Sequence, residues 1–118
     1  MNFVDIAGVT EIQNGQMKVV KAGHNEVVVA RVNDKYYAFS RRCSHLGGDL
    51  ARGTLDGTVI TCPLHHSQFD ITDGHVIRWT NWPGKLGILK KIRSPRPLKT
   101  YDVNVEDGRI MVDDDRVP

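Results

Sequence analysis

The 118-residue chain has no long apolar run, little excess of charge and only two cysteines. Its longest obvious apolar stretch is at 27–30, far short of the roughly 20 residues that a membrane-spanning helix needs. With 16 basic and 14 acidic residues the formal net charge is +2, and no nucleic-acid-binding motif is present. We therefore expect neither a membrane nor a nucleic acid as a partner.

The first residues lack the basic start and the apolar stretch of a signal peptide. Both cysteines fall in one motif, which leaves none for a disulfide and favours a reducing compartment. These observations predict a cytoplasmic protein. At this length the sequence predicts one domain, 1–118, with a modest core.

Each cysteine begins a short box that also contains a histidine. Cys43 is followed by His45, and Cys62 by His65, so the candidate ligands read C-x-H and C-x2-H. In mononuclear zinc sites the two cysteines usually come as one pair and the two histidines as another, so that each loop wraps one ion. Here each loop gives one sulfur and one nitrogen, which suits two neighbouring irons better than one ion. A [2Fe–2S] cluster with cysteines on one iron and histidines on the other meets that demand.

The two boxes resemble those of the Rieske iron–sulfur family. The similarity extends to the glycines after the first box, Gly47 and Gly48, and to Pro63 after the second cysteine. It also includes Phe69 and Asp70, which close the second box, and the flanking sequence from residue 3 to residue 112. The resemblance implies one Rieske-type [2Fe–2S] cluster.

The resemblance also implies the role of each ligand. Cys43 and Cys62 would bind the inner iron, and His45 and His65 the outer iron. The histidines would lie at the tip of the protein, where electrons enter and leave through the imidazole edges.

Frequent turn signals separate short runs of β-branched and aromatic residues, which is typical of an all-β protein. The predicted turns are centred on Asn14-Gly15, Asn33-Asp34, Asp56-Gly57, Asp73-Gly74 and Asp107-Gly108. The predicted strands are 3–6, 17–21, 27–32, 36–39, 58–61, 67–70, 76–79, 101–106 and 109–112. The pattern predicts an antiparallel sandwich or barrel, and the resemblance implies a small cluster-binding subdomain, about 43–70, inserted into that base.

Several positions around the boxes bear on the reduction potential. In high-potential respiratory members of the family a serine and a tyrosine donate hydroxyl hydrogen bonds from the positions of Ser67 and Phe69, and a disulfide joins the positions of Leu46 and Leu64. Here Ser67 can donate, Phe69 cannot, and the disulfide is missing. We expect a potential in the low or middle part of the Rieske range of about −150 to +300 mV.

Two further positions are expected near the cluster. His66 stands where the family often has glycine, and we expect its side chain to face solvent. Pro83 is expected in a third loop that covers the cluster.

Basic residues precede the first box and follow the second. Arg41 and Arg42, with Lys90, Lys91 and Arg93, could form a positive docking rim that steers an acidic redox partner. An ordinary solvated charged face is an equally good interpretation of these residues.

The function expected from the resemblance is a soluble one-electron carrier, a Rieske-type ferredoxin, that takes electrons from a reductase to a terminal oxygenase or a similar enzyme. It would not itself be an enzyme, because the chain has no room for a second domain with a mononuclear iron. One alternative is a non-catalytic small subunit of a larger redox enzyme, such as an assimilatory nitrite reductase. Another is a structural zinc module, which the close spacing of Cys43 and His45 disfavours.

Overall fold

The computed structural model describes residues 3–44, 47–64, 66–79 and 96–113. Within these ranges the chain forms eleven β-strands in three antiparallel sheets, with short 3-10 helices at Val9–Glu11 and Leu50–Arg52. The predicted all-β class is confirmed. Neither of these helices has the length or the apolar character needed to cross a membrane.

The three sheets form successive layers. The outer sheet has the order β1-β11-β10 and contains β1 (Phe3–Gly8), β10 (Val103–Glu106) and β11 (Arg109–Asp113). The middle sheet has the order β2-β3-β4-β9 and contains β2 (Met17–Ala22), β3 (Asn25–Val32), β4 (Lys35–Ser40) and β9 (Thr100–Tyr101). The loop sheet has the order β5-β6-β7-β8 and contains β5 (Thr54–Asp56), β6 (Val59–Thr61), β7 (Gln68–Asp70) and β8 (Val76–Arg78).

Strand β3 is buried on both faces. Val27 and Val29 lie in a core shared with the outer sheet, whereas Val28 and Ala30 lie in a second core shared with the loop sheet. All four side chains are fully buried. Because side chains alternate along a strand, the middle sheet separates the two cores and supports both neighbouring layers.

The structure departs from the predicted strands at two places. The strand expected over 101–106 is interrupted at Asp102, so that β9 pairs with the middle sheet and β10 with the outer sheet. The chain thus changes layers at a single residue, which a continuous β-prone run does not reveal. Strand β5 was not predicted, because its three residues, of which the last is an aspartate, are too few to show the sequence pattern of a β-strand.

The segment before β9 connects two layers. The N–H of Leu98 donates a hydrogen bond to the carbonyl of Gly74 (2.8 Å), and the N–H of Ser40 donates to the carbonyl of Lys99 (2.9 Å). Leu98 is buried in the core shared by the middle and loop sheets. Gly74 has a positive φ of 84°, and a Cβ there would lie 2.1 Å from the Leu98 oxygen, so the two backbones meet with no room for a side chain.

This contact predicts that Gly74→Ala destabilises the protein far more than Gly15→Ala. Gly15 has nearly the same φ, 83°, but a Cβ there would have nothing within 4 Å. Both substitutions carry the cost of a left-handed alanine, about 1 kcal/mol. Only Gly74→Ala adds a backbone clash, so its total loss should be about 3 kcal/mol or more. Urea unfolding of both variants checks this, and equal losses would contradict the close packing at Gly74.

Candidate metal centre

The first cysteine box forms a tight loop directly after strand β4. In this loop (loop 1, residues 43–48) the N–H of Cys43 donates to the carbonyl of Gly48 (2.8 Å), and the N–H of Gly47 donates to the carbonyl of Cys43 (2.8 Å). A bridge between Arg42 and Asp49 closes the loop at its base. The first cysteine therefore stands at the start of a short turn that two backbone hydrogen bonds close.

The second cysteine box repeats the same backbone pattern. In loop 2 (residues 62–67), the connection between β6 and β7, the N–H of Cys62 donates to the carbonyl of Ser67 (2.8 Å). The N–H of His66 donates to the carbonyl of Cys62 (3.1 Å). Counted from each cysteine, both bonds connect the same positions as in loop 1. The two cysteines thus occupy equivalent places in two equivalent loops.

The equivalence of the loops explains why glycine suits position 66 and why histidine is tolerated there. The fifth residue of each loop is left-handed, with φ of 74° at Gly47 and 62° at His66. Glycine takes this conformation at no steric cost, and histidine is one of the few other residue types enriched there. The side chain of His66 is exposed. A glycine would satisfy the backbone of loop 2, which is the physical reason why glycine suits this position.

The two thiols lie in the same core and away from water. Cys43 and Cys62 have relative exposures of 3% and 2%, and both belong to the core shared by the middle and loop sheets. A Cβ on Gly48 would lie 2.6 Å from the Cys62 sulfur, so the backbone of loop 1 passes directly against the sulfur of loop 2. The structure describes both cysteines of the chain and contains no disulfide between them.

Of the predicted site residues, four lie outside the described ranges. These are His45, Leu46, His65 and Pro83. The described ranges bring together the two thiols, Ser67 and Phe69, and they leave Leu64 at the exposed end of loop 2, with 56% of its surface accessible.

Ser67 has a buried hydroxyl that fits the predicted cluster. Its side chain is fully buried, and within the described part of the chain its oxygen has no hydrogen-bond partner. An unsatisfied buried hydroxyl costs about 1–3 kcal/mol, so such a group calls for an acceptor. A cluster sulfur between the two loops would be one. The buried hydroxyl of Ser67, the two buried thiols and the backbone of Gly48, which carries no side chain, together suit an iron–sulfur cluster.

Phe69 contributes packing and no hydrogen bond. Its ring is fully buried and contacts the indole of Trp79 edge to face, with the ring centroids 6.4 Å apart and an interplanar angle of 88°. The position therefore stabilises the core below loop 2. It supplies no donor to a cluster, and the low or middle potential expected from the sequence stays a prediction.

Arg41 has a role that the sequence did not reveal. Its guanidinium donates two parallel hydrogen bonds to the carboxylate of Asp49, each 3.0 Å, and a third to Glu26 (2.8 Å). Asp49 also accepts from the N–H of Ala51 at the start of the second 3-10 helix. Arg41 thus clamps the base of loop 1, and two carboxylates compensate the positive charge that we had expected in a docking rim.

The Arg41–Asp49 pair predicts a pH-dependent effect of Asp49→Asn. The hydrogen bond from Arg41, together with that from the Ala51 N–H, lowers the pKa of Asp49 below its ordinary value. A lowered pKa contributes stability above the unfolded-state value, about 3.9, and that contribution is lost as the pH falls through the folded-state value. Asp49→Asn should therefore lower the urea midpoint at pH 7, and the difference from wild type should shrink below about pH 4.

The control for this experiment is Asp56→Asn, at the exposed turn between β5 and β6. It should leave the midpoint nearly unchanged at both pH values. A loss for Asp49→Asn that stays constant from pH 7 to pH 3 would show that the ion pair is not the cause.

Comparison with known proteins shows which family has this arrangement. Residues 2–102 match the model of the Rieske [2Fe-2S] domain. The ferredoxin component of the naphthalene 1,2-dioxygenase/salicylate 5-hydroxylase systems of a Ralstonia species is 29% identical over 113 residues, which cover 94% of each chain. The ferredoxin component of the naphthalene 1,2-dioxygenase system of Pseudomonas putida is 26% identical over 115 residues, 96% of each chain.

Solved structures agree over the same length. The ferredoxin of carbazole 1,9a-dioxygenase from Nocardioides aromaticivorans IC177 superposes with a TM-score of 0.78 at 27% identity, covering 95% of this chain and 97% of that one. A chain in the complex of reduced oxygenase and oxidized ferredoxin in carbazole 1,9a-dioxygenase gives a TM-score of 0.74 at 28% identity, covering 93% and 91%. With paired cysteine loops and a family match across most of its length, this chain belongs to the Rieske [2Fe-2S] family.

Proposed function

We propose that this protein is a cytoplasmic one-electron carrier that takes electrons from a reductase to a terminal oxygenase or a similar redox enzyme. The pair of equivalent cysteine loops carries this proposal, because it holds two buried thiols in one core. Relatives of nearly the same length are named as ferredoxin components of oxygenase systems, which supports the assignment.

The proposed centre is one [2Fe–2S] cluster between loops 1 and 2. Cys43 and Cys62 would hold one iron, and His45 and His65 the other. Such a cluster stores a single electron. The chain supplies the surroundings: the core keeps water from the thiolates, and Ser67 would donate a hydrogen bond that favours the more negative, reduced state.

A carrier role suits this domain, because relatives that it covers almost completely are named as ferredoxin components. We propose one domain, 1–118, with a cluster-binding subdomain at about 43–70. The terminal oxygenase of carbazole 1,9a-dioxygenase from Nocardioides aromaticivorans IC177 shares the fold at 22% identity, yet this chain covers only 29% of it. A mononuclear iron site that activates oxygen would need residues beyond such a domain.

The basic docking rim is also part of the proposal, but without the charge of Arg41. Of its five expected members Lys90, Lys91 and Arg93 lie outside the described ranges. Arg41 is paired with Asp49 and Glu26, which leaves Arg42 as the exposed member in the described part of the chain.

A redox titration of anaerobically purified protein tests the proposed function. We expect iron and acid-labile sulfide in equal amounts, and a rhombic EPR signal with a low average g value that appears with dithionite but not with ascorbate. Reduction by ascorbate would contradict a low potential. Zinc, or no metal in protein produced with adequate iron, would contradict the carrier role.

Histidine variants make this test specific to the ligands. His45→Gln and His65→Gln should abolish the Rieske EPR signal, because each would remove a nitrogen from the outer iron. His24→Gln, at an exposed turn between β2 and β3, is the control and should leave the signal unchanged. An unchanged signal in either ligand variant would remove that histidine from the proposed site.

The buried hydroxyl of Ser67 leads to a two-part prediction. In the loaded protein Ser67→Ala should lower the reduction potential, because the reduced cluster loses a hydrogen bond. In metal-free protein the same change should be neutral or stabilising by about 1 kcal/mol, because it removes an unsatisfied buried group. Thr58→Val removes a hydroxyl that bonds Asp70, away from loop 2, and should leave the potential unchanged. An unaltered potential in Ser67→Ala would show that the hydroxyl does not contact the cluster.

A further inference from the structure

Two arginines bind the backbone of the cysteine loops at equivalent points. The guanidinium of Arg42 donates to the carbonyl of Gly47 (3.5 Å), and that of Arg78 donates to the carbonyl of His66 (3.3 Å). Gly47 and His66 are the left-handed residues that match in the two loops. Each loop therefore has its own arginine on the same turn of the backbone.

A third arginine reaches loop 1 from the segment before β9. Arg96 donates from its guanidinium to the carbonyl of Ser44 (3.2 Å), and the Ser44 hydroxyl donates to the carbonyl of Arg96 (2.9 Å). We call Arg42, Arg78 and Arg96 the arginine collar. All three side chains belong to exposed residues, although each contacts a loop.

The collar differs from the other arginines in its charge balance. Within the described ranges no carboxylate lies within ion-pair distance of any collar member, whereas four other arginines each have such a partner. Those four are Arg31, Arg41, Arg52 and Arg109. A guanidinium has five N–H donors, so one bond to a loop carbonyl leaves most of them available.

The register of the loop sheet separates its charges. Arg78 pairs with Gln68, which stands beside loop 2. Asp56 and Asp70 both pair with Val59, at the end of the sheet farther from loop 2. The uncompensated positive charge of this layer therefore lies next to the loops, and these two carboxylates lie away from them.

Loop 2 carries an apolar side chain that lies against loop 1, because a Cβ on Gly48 would lie 3.1 Å from Leu64. Pro63 and Leu64 form the exposed turn of loop 2, and Leu64 is the most exposed large apolar side chain in the described ranges, at 56%. An apolar centre bordered by arginines is the composition of many protein–protein interfaces.

We propose that the arginine collar, with Pro63 and Leu64 at its centre, is a docking surface for the carboxylate-rich face of a redox partner protein. This rests on the proposed function, since the electron would leave beside these loops. Each arginine would hold a loop carbonyl with one N–H and offer a fork of the remaining donors to a partner carboxylate. Docking would thus engage the same groups that fix the cysteine loops.

Small oxidants of opposite charge test the local field at the loops. Reduced protein is mixed in a stopped-flow instrument with ferricyanide, charge 3−, or hexaamminecobalt(III), charge 3+, and one electron passes from the reduced cluster to the complex. The rate with ferricyanide should fall as salt rises, and the rate with the cobalt complex should rise. At low salt each of Arg42→Gln, Arg78→Gln and Arg96→Gln should slow ferricyanide about two- to threefold.

Lys35→Gln is the control of matched charge. Lys35 is exposed at the start of β4, and loop 1 follows the other end of that strand, so its removal should change neither rate. Equal salt responses of the two oxidants would overturn the proposal. So would a Lys35→Gln variant that slows ferricyanide as much as the collar variants do. If a collar variant fails to load its cluster, the corresponding Arg→Lys variant, which keeps the charge, should react with ferricyanide as wild type does. Because the net charge of +2 alone gives the wild-type protein opposite salt responses with the two oxidants, the comparison of the collar variants with Lys35→Gln decides.

Poly-L-glutamate tests the chemistry of the partner. In calorimetric titrations at low salt the wild-type protein and Lys35→Gln should bind it equally, and the triple collar variant at least tenfold more weakly. Equal binding by all three proteins would overturn the proposal. A protein without a reducible cluster would refute the carrier role, yet its binding to poly-L-glutamate would still test the docking surface.

Discussion

The structure depends on the burial of strand β3 on both faces. One face supports the outer sheet and the other supports the loop sheet, so the same four residues at 27–30 serve two cores. A polar residue at any of these positions would place an unsatisfied group between two layers. The position of the cysteine loops is a consequence of this arrangement. Loop 1 extends from the middle sheet and loop 2 from the sheet packed against it, so the contact between sheets also brings the thiols together.

The loops themselves are defined by backbone chemistry more than by the identity of their side chains. Two hydrogen bonds, repeated at equivalent positions, hold each cysteine at the start of its turn. Gly48 allows the loops to approach, because any larger residue would meet the Cys62 sulfur. Around this pair the arginines divide into two roles. Arg41 is neutralised by carboxylates and fixes the base of loop 1. The collar arginines bind loop carbonyls and, in the described part of the chain, have no carboxylate within ion-pair distance.

Much of this could be read from the sequence. The turn signals and short β-prone runs predicted the all-β class, and the two cysteine–histidine boxes predicted the family. The change of layer at Asp102 could not be predicted, because a strand that leaves one sheet for another keeps the same local pattern. The Arg41–Asp49 clamp was also hidden, since ion pairs depend on which charged residues the fold brings together. For the same reason the sequence grouped Arg41 with Arg42, although the structure gives them different partners.

The pairing of the first strand with the last has a consequence for how this domain is used. Phe3 lies opposite Asp113, so the two ends of the described chain meet in the outer sheet. That sheet is separated from the loop sheet by the middle layer, which places both ends away from the cysteine loops. A covalent fusion at either end would therefore leave the loops accessible, and linking the two ends would need only a short connection. The fold is therefore suited to covalent attachment beyond these two strands without covering the cysteine loops.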